Sequence, residues 1–257
     1  MSEMRENVSQ HPDEIVQRHL ANYPSHAREE FAEAFAREGL VRIDDLLPKE
    51  LADALSEEAV HLLRHHSRRR EVVLPSTGNT PRAYRSVARD VIATHGKLIP
   101  WFFHNEAIRE FLSEVAGERL HKVPYEPEEF IVNSQEAIGD THGWHFDDYT
   151  YALIWIAEAP DPFAGGRVEY IPHVSWNKED PEGQLRELLI NRKIHSMYMP
   201  AGSCYLMQTH KTLHRVSPLT DYSRRTVIVF TYANDQDLQD SDISHETMEA
   251  IYAPEIT

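Results

Sequence analysis

Residues 141 to 151 read THGWHFDDYTY and bring His142, His145, Asp147 and Asp148 into one short run that otherwise has the look of a β-strand. In an extended strand residues i and i+2 project to one face, so His145 and Asp147 can present a nitrogen and an oxygen to a single ion. On a regular strand Phe146 and Asp148 then point the other way. A third ligand must come from elsewhere, and THKTLHRVSPLTDYSRRTVIVF offers His210 and His214, both ahead of a predicted hairpin. A symmetric turn centred near Leu219 and Thr220 sets His214 opposite Arg225, with Arg224 as the fallback. Two histidines and one carboxylate make the facial triad of non-haem Fe(II) sites, whose open positions admit a bidentate organic acid and O2. An arginine beside them suits the far carboxylate of a dicarboxylic co-substrate, because its planar fork pairs with a carboxylate through two hydrogen bonds. A structural metal site needs no such clamp and fills its own shell. Each piece is weak alone, since H-x-D recurs by chance in a chain with 16 histidines. The joint pattern carries the reading, and it favours His214 over His210, which reads as a sheet histidine.

Strands must position these side chains. From about residue 128 the chain turns to short runs rich in β-branched and aromatic residues: EEFIV, YALIWIA, RVEYI, IHSMYM, SCYLMQ and RTVIVFTYA. Turns such as DPFAGG, PAG and PLTDY separate several of them, which predicts antiparallel strands in a sandwich or barrel, interrupted by one helix over about 181 to 191. Upstream, residues 12 to 65 read as mainly helical. In SHAREEFAEAFAREGL, Phe31, Ala34, Phe35 and Ala36 recur at helical spacing, Ser25 is placed to cap and Gly39 to end the helix. After the short run VRI, Pro48 suits the first turn of a second helix. The acidic last twenty or so residues carry no clear pattern.

The bulk numbers exclude several classes. Lys and Arg total 26 against 42 Asp and Glu, a formal charge of -16, which argues against nucleic acid and anionic membranes as partners. The polar start MSEMRENVSQHPDE lacks the apolar stretch of a signal peptide, and YALIWIA and TVIVFTYA are too short to span a bilayer. The single cysteine, Cys204, reads as a small buried residue in a reducing, cytoplasmic setting. A length of 257 residues suits one domain, 1–257, with a helical part over about 12–120 and a strand core over about 128–233.

The segments TPRAYRSV, HGWHFDDYTYALIWIAEAP, IPHVSWNKE and TLHRVSPL resemble the iron- and 2-oxoglutarate-dependent radical halogenases and hydroxylases that act on free amino acids, typified by the lysine halogenases. The likeness runs from about residue 80 to 233. It implies a mainly β fold with flanking helices, a double-stranded β-helix or jelly roll of the cupin-like kind. It implies Fe(II) at His145, Asp147 and His214, 2-oxoglutarate at Arg225, and O2. Arg82 is then expected to grip the substrate carboxylate, Glu128 and Asp148 to receive an ammonium group, and His142 and Thr231 to face the substrate. Halogenases carry glycine where this chain has Asp147, and their chloride-holding asparagine falls at Val229. The implied reaction is therefore hydroxylation, with L-lysine as the first candidate and ornithine, arginine or a neutral amino acid as others. A non-catalytic metal-binding jelly roll is the competing class, and a homodimer stays open.

Overall fold

The computed structural model describes residues 12–252, so the first eleven residues of the polar start lie outside it. Among the described residues no helix is long and apolar enough to cross a membrane. In chain order the helices are α1 (Pro12–Ala21), α2 (Ser25–Glu38), α3 (Lys49–His66), α4 (Arg89–His95), α5 (Leu98–His104), α6 (Glu106–Ala116), α7 (Pro181–Asn191) and α8 (Glu246–Tyr252). The strands are β1 (Leu40–Ile43), β2 (Arg68–Val73), β3 (Pro81–Val87), β4 (His121–Lys122), β5 (Phe130–Gln135), β6 (Thr141–His145), β7 (Tyr151–Glu158), β8 (Val168–Pro172), β9 (His195–Met197), β10 (Cys204–Met207), β11 (Thr212–Val216) and β12 (Arg225–Ala233).

Helix formation follows local chemistry. In α3, Leu51, Leu55, Ala59, Leu62 and Leu63 form one buried stripe, each leucine contributing roughly 1.5–3 kcal/mol as an upper estimate. That stripe lies across β3, β5, β7 and β12. Gly39 ends α2 in the left-handed conformation, as expected. Ser25 does not cap it: Ser25 is already the first helical residue, and Pro24 occupies the capping position without a side-chain bond. Pro48 likewise stands one position before α3.

The strands pair antiparallel in the order β1-β10-β7-β12-β5-β3-β6-β11-β8-β9, with β2 beside β3 and β4 beside β12. The sheet rolls over on itself. Val168 and Tyr170 of β8 pack against Ile154 and Ile156 of β7 and Tyr205 of β10, although β8 and β7 lie far apart in strand order. This rolled antiparallel sheet with helices on its outer face is the double-stranded β-helix. The expected split into a helical part and a strand core is too sharp, because β1 to β4 precede residue 128 and β3 lies between β5 and β6 in the middle of the sheet.

Strand β12 shows how the fold sorts its residues. Ile228, Phe230 and Tyr232 join the core under the helices, whereas Val227 and Val229 face the interior of the roll. Both faces are apolar because both are buried, which is why the sequence alternation alone is silent there. Period two then places Arg225 and Thr231 on the interior face.

Candidate functional site

The strand carrying His145 ends at that residue, so Asp147 sits in irregular chain just beyond β6 rather than on a continuing strand. The expected regular geometry therefore fails at Asp148, which lines the same cavity as Asp147 instead of pointing away. The predicted hairpin is also absent: β11 pairs with β6 and β8, and β12 with β5, β7 and β4. His214 lies opposite His145 on β6, and Arg225 lies opposite Gln135 on β5. Both still reach one interior cavity, because the roll brings the two halves of the sheet face to face.

His145, Asp147 and His214 each offer one ligand atom, and these atoms lie within 4.8 Å of one another. Asp147 Oδ1 is 3.4 Å from His145 Nε2 and 3.8 Å from His214 Nε2. The other ring nitrogens are already committed: His145 Nδ1 meets the Gly143 carbonyl at 2.6 Å and His214 Nδ1 meets that of Thr212 at 2.9 Å. A carbonyl only accepts, so each Nδ1 carries the proton and each Nε2 keeps its lone pair for a cation. Gly143 has a packing reason, since a Cβ there would come within 2.6 Å of the Pro81 carbonyl and the Thr80 hydroxyl. That approach lets Thr80 donate to the Trp144 carbonyl at 2.8 Å and fixes the strand between the two histidines.

Charge is arranged accordingly. Burial and the facing His145 push His214 down to about 4, which keeps the imidazole neutral. Burial alone would raise Asp147, but His214, His145 and Arg82 outweigh it and hold the carboxylate below its ordinary range. His142 stacks on His145 with centroids 4.1 Å apart, and burial followed by that neighbour lowers it well below its ordinary value. Its Nε2 is buried without a partner.

The remaining expected residues line the same cavity. Arg225, 3% exposed, reaches Gln135 Oε1 at 3.4 Å from Nη1, while its Nη2 is buried without a partner. Arg224 points outward to Glu136 and Glu158, each at 3.6 Å. Arg82, 2% exposed, leaves Nε and Nη2 unpaired. Glu128 and Thr231 are buried at the cavity wall. Burial, then Asp148 and Asp147, pushes Glu128 up to about 9; burial, then Asp147, pushes Asp148 up to about 7. His210 is exposed and outside the cavity.

Other wall residues were not expected. Tyr205 and Gln135 flank Arg225, and Met248, Ile251 and Tyr252 of α8 close one side. Tyr205 was open to inference, since it alternates with the core residues Cys204 and Leu206 on β10. The contribution of α8 left no such trace.

Residues 23–253 match the sequence model of the Halogenase D family. No curated protein sequence matches the chain. Among solved structures it is similar to the non-heme alpha ketoglutarate dependent epimerase SnoN from nogalamycin biosynthesis, at 17% identity over 82% of this chain and 84% of that one, with a TM-score of 0.62. Another SnoN structure holds Fe3+ and alpha ketoglutarate. A prolyl hydroxylase from Trichoplax adhaerens, solved with a hypoxia inducible factor peptide, shares 11% identity over 84% of this chain and 93% of that one, with a TM-score of 0.61. AviO1 from Streptomyces viridochromogenes shares 16% over 81% and 95%, with a TM-score of 0.61. At these identities the likeness is one of fold. The sequence match is of a different kind, because it runs through both halves of the rolled sheet, the H-x-D segment and α8, and on that extent the chain belongs to the Halogenase D family.

Proposed function

We propose that the protein is an Fe(II)- and 2-oxoglutarate-dependent oxygenase that hydroxylates a free amino acid, with L-lysine the first candidate. The carrying observation is the donor set: two imidazoles with their Nδ1 protons committed to carbonyls, a carboxylate between their free Nε2 atoms, and unpaired buried guanidinium nitrogens on the same cavity. Two imidazoles that turn Nε2 to one point and one ionised carboxylate fit Fe(II) and leave coordination positions open. When bound, the iron supplies the oxidation of a substrate C–H bond, coupled to conversion of 2-oxoglutarate and O2 to succinate and CO2.

The residues of this chain bind and orient. A buried guanidinium with free N–H groups is costly unless an anion completes it. Arg225 does this for the distal carboxylate of 2-oxoglutarate, held in place by Gln135 and Tyr205. Arg82 does it for the substrate carboxylate, next to the His142–His145 stack. Glu128 and Asp148 are both raised by burial and by acidic neighbours, more than Lys178 and Arg82 offset at Asp148, and an ammonium group would restore their charge. Carboxylate and ammonium ends held apart in this way suit a basic amino acid and fix which carbon faces the metal.

Asp147 argues for hydroxylation over halogenation. A carboxylate fills the position that chloride would need, and Val229 on the cavity wall offers no donor to a halide. The test is a panel of free amino acids with Fe(II), 2-oxoglutarate and O2, read by mass spectrometry. A gain of one oxygen atom on lysine, ornithine or arginine with matching succinate is expected. Tight metal binding with no turnover of any amino acid would favour the non-catalytic jelly roll.

A further inference from the structure

Helix α8 forms part of the cavity wall through Thr247, Met248, Ile251 and Tyr252, while Glu246, Glu249 and Ala250 face solvent. Seven residues are too few to hold a helix in water on their own, so its place depends on what fastens it. One end is held where Tyr252 Oη lies 3.4 Å from Asn133 Oδ1 and the Arg70 guanidinium sits 5.3 Å over the Tyr252 ring. At the other end His245, just before the helix, places Nδ1 2.7 Å from Glu128 Oε1. The ring of His245 stacks on Tyr125 at 3.9 Å and 14°. Tyr125 and Glu128 belong to one tight turn, since the Glu128 N–H donates to the Tyr125 carbonyl at 3.1 Å. The same turn thus supplies both the platform and the partner of His245. Among the described residues Glu128 makes no other side-chain hydrogen bond, which leaves its second oxygen for a ligand.

We propose that His245 is a positioning residue: it aims the Glu128 carboxyl into the cavity and fastens α8 as a roof, so that a substrate ammonium and the roof are held through one carboxyl. This rests on reading the cavity as the site of a basic amino acid. An ammonium bound at the free oxygen fixes the Glu128 side chain and thereby steadies His245 and α8. A neutral amino acid makes no such contact and gains nothing from His245.

Two measurements on the full chain, loaded anaerobically with Fe(II) and 2-oxoglutarate, test the proposal. Hydrogen exchange over residues 246–252 should quicken about tenfold in His245→Ala, the equivalent of one hydrogen bond, and be largely restored in His245→Asn, which keeps a donor. Addition of L-lysine should slow that exchange in the unaltered protein and much less in His245→Ala. In turnover, His245→Ala should raise KM for lysine on the order of tenfold, with kcat within about threefold and KM for 2-oxoglutarate unchanged. Unchanged exchange in His245→Ala overturns the fastening, and an equal KM rise for neutral amino acids overturns the role through Glu128. If the unaltered protein converts no amino acid at all, the functional reading fails by itself, while the exchange comparison without substrate still decides whether His245 holds the roof.

Discussion

The two ends of the cavity are built differently. At the metal end, His145 and His214 oppose each other on paired strands, and each ring is fixed by a backbone carbonyl two residues back. At the end proposed for the ammonium group, Glu128 comes from a tight turn, Asp148 from irregular chain after β6, and His245 from the approach to α8. The two histidines of the first end are held by strand pairing, and Asp147 follows two residues after the end of β6. The second is held by side chains on turns and a short helix, through the Glu128–His245 contact, the Tyr125–His245 stack and the buried Ile251. The two histidines are thus placed on paired strands, whereas the acidic residues around them, Asp147 included, stand on turns and irregular chain that a rigid scaffold carries.

If that contrast is right, damage at the metal end should be absolute. His145→Ala or His214→Ala should abolish turnover and the anaerobic absorption band formed with Fe(II) and 2-oxoglutarate. Metal affinity should drop at least about a hundred-fold, the upper figure for loss of an outer partner alone. His210→Ala should leave the band intact. Asp147→Gly opens a position on the metal but supplies no donors for a halide, so the single variant should give weak oxidation with little chlorinated product even in high chloride. Adding Val229→Asn should increase chlorination, and dominant chlorination by the single variant, seen by isotope pattern, would show that the missing donor matters less.

The proposed co-substrate clamp, Arg225, lies between the two extremes, on a strand but acting through a single side chain. Arg225→Ala should raise the 2-oxoglutarate requirement by roughly 30- to 150-fold, about 2–3 kcal/mol for a desolvated charge-assisted pair. The iron requirement should hardly move. Arg224→Ala, facing solvent with Glu136 and Glu158, should change the co-substrate KM by less than about twofold. A crippled Arg224 variant with normal Arg225→Ala would invert the assignment of the interior face.

The same contrast explains what the sequence disclosed. H-x-D, a distal histidine and a nearby arginine were visible because they sit on or beside strands whose short-range spacing survives folding. The placement of Arg225 followed from a hairpin that does not exist. Its true neighbours are Gln135 and Tyr205, and it shares a cavity with His214 only across the roll, a long-range closure that no local pattern encodes. Likewise β3 falls within the part expected to be helical and is a central strand, because its partners β5 and β6 lie about fifty to sixty residues further on. The roof was illegible for another reason: the acidic stretch around α8 has no strong periodicity, and its position is set by His245 and Tyr252 meeting residues over a hundred positions away.

The smallest expected effect separates the two ends by pH. Glu128 is raised from 4.5 to about 9 by burial and by its acidic neighbours, so between those values the folded protein binds a proton that the unfolded chain releases. Stability from this group is therefore full below about pH 4.5 and is lost as pH climbs towards 9, by at most about 1.4 kcal/mol per pH unit. The loss in practice is smaller, because His245 and entering water relieve part of the ionised carboxylate's cost. Glu128→Gln removes the ionisation while keeping the shape, so its melting temperature should fall less between pH 5 and pH 8 than that of the unaltered protein. Each kcal/mol corresponds to about 2–4 °C in a domain of this size, and the gap should widen with pH. Asp148 and Glu128 repel each other when both are ionised, so Glu128→Gln also relieves Asp148 and adds to the gap in the same direction. Saturating L-lysine at pH 8 should narrow the gap by placing an ammonium against the ionised Glu128. Parallel melting curves at all pH values would mean that Glu128 is already compensated by the protein itself, and the ammonium end would then be as rigidly satisfied as the metal end.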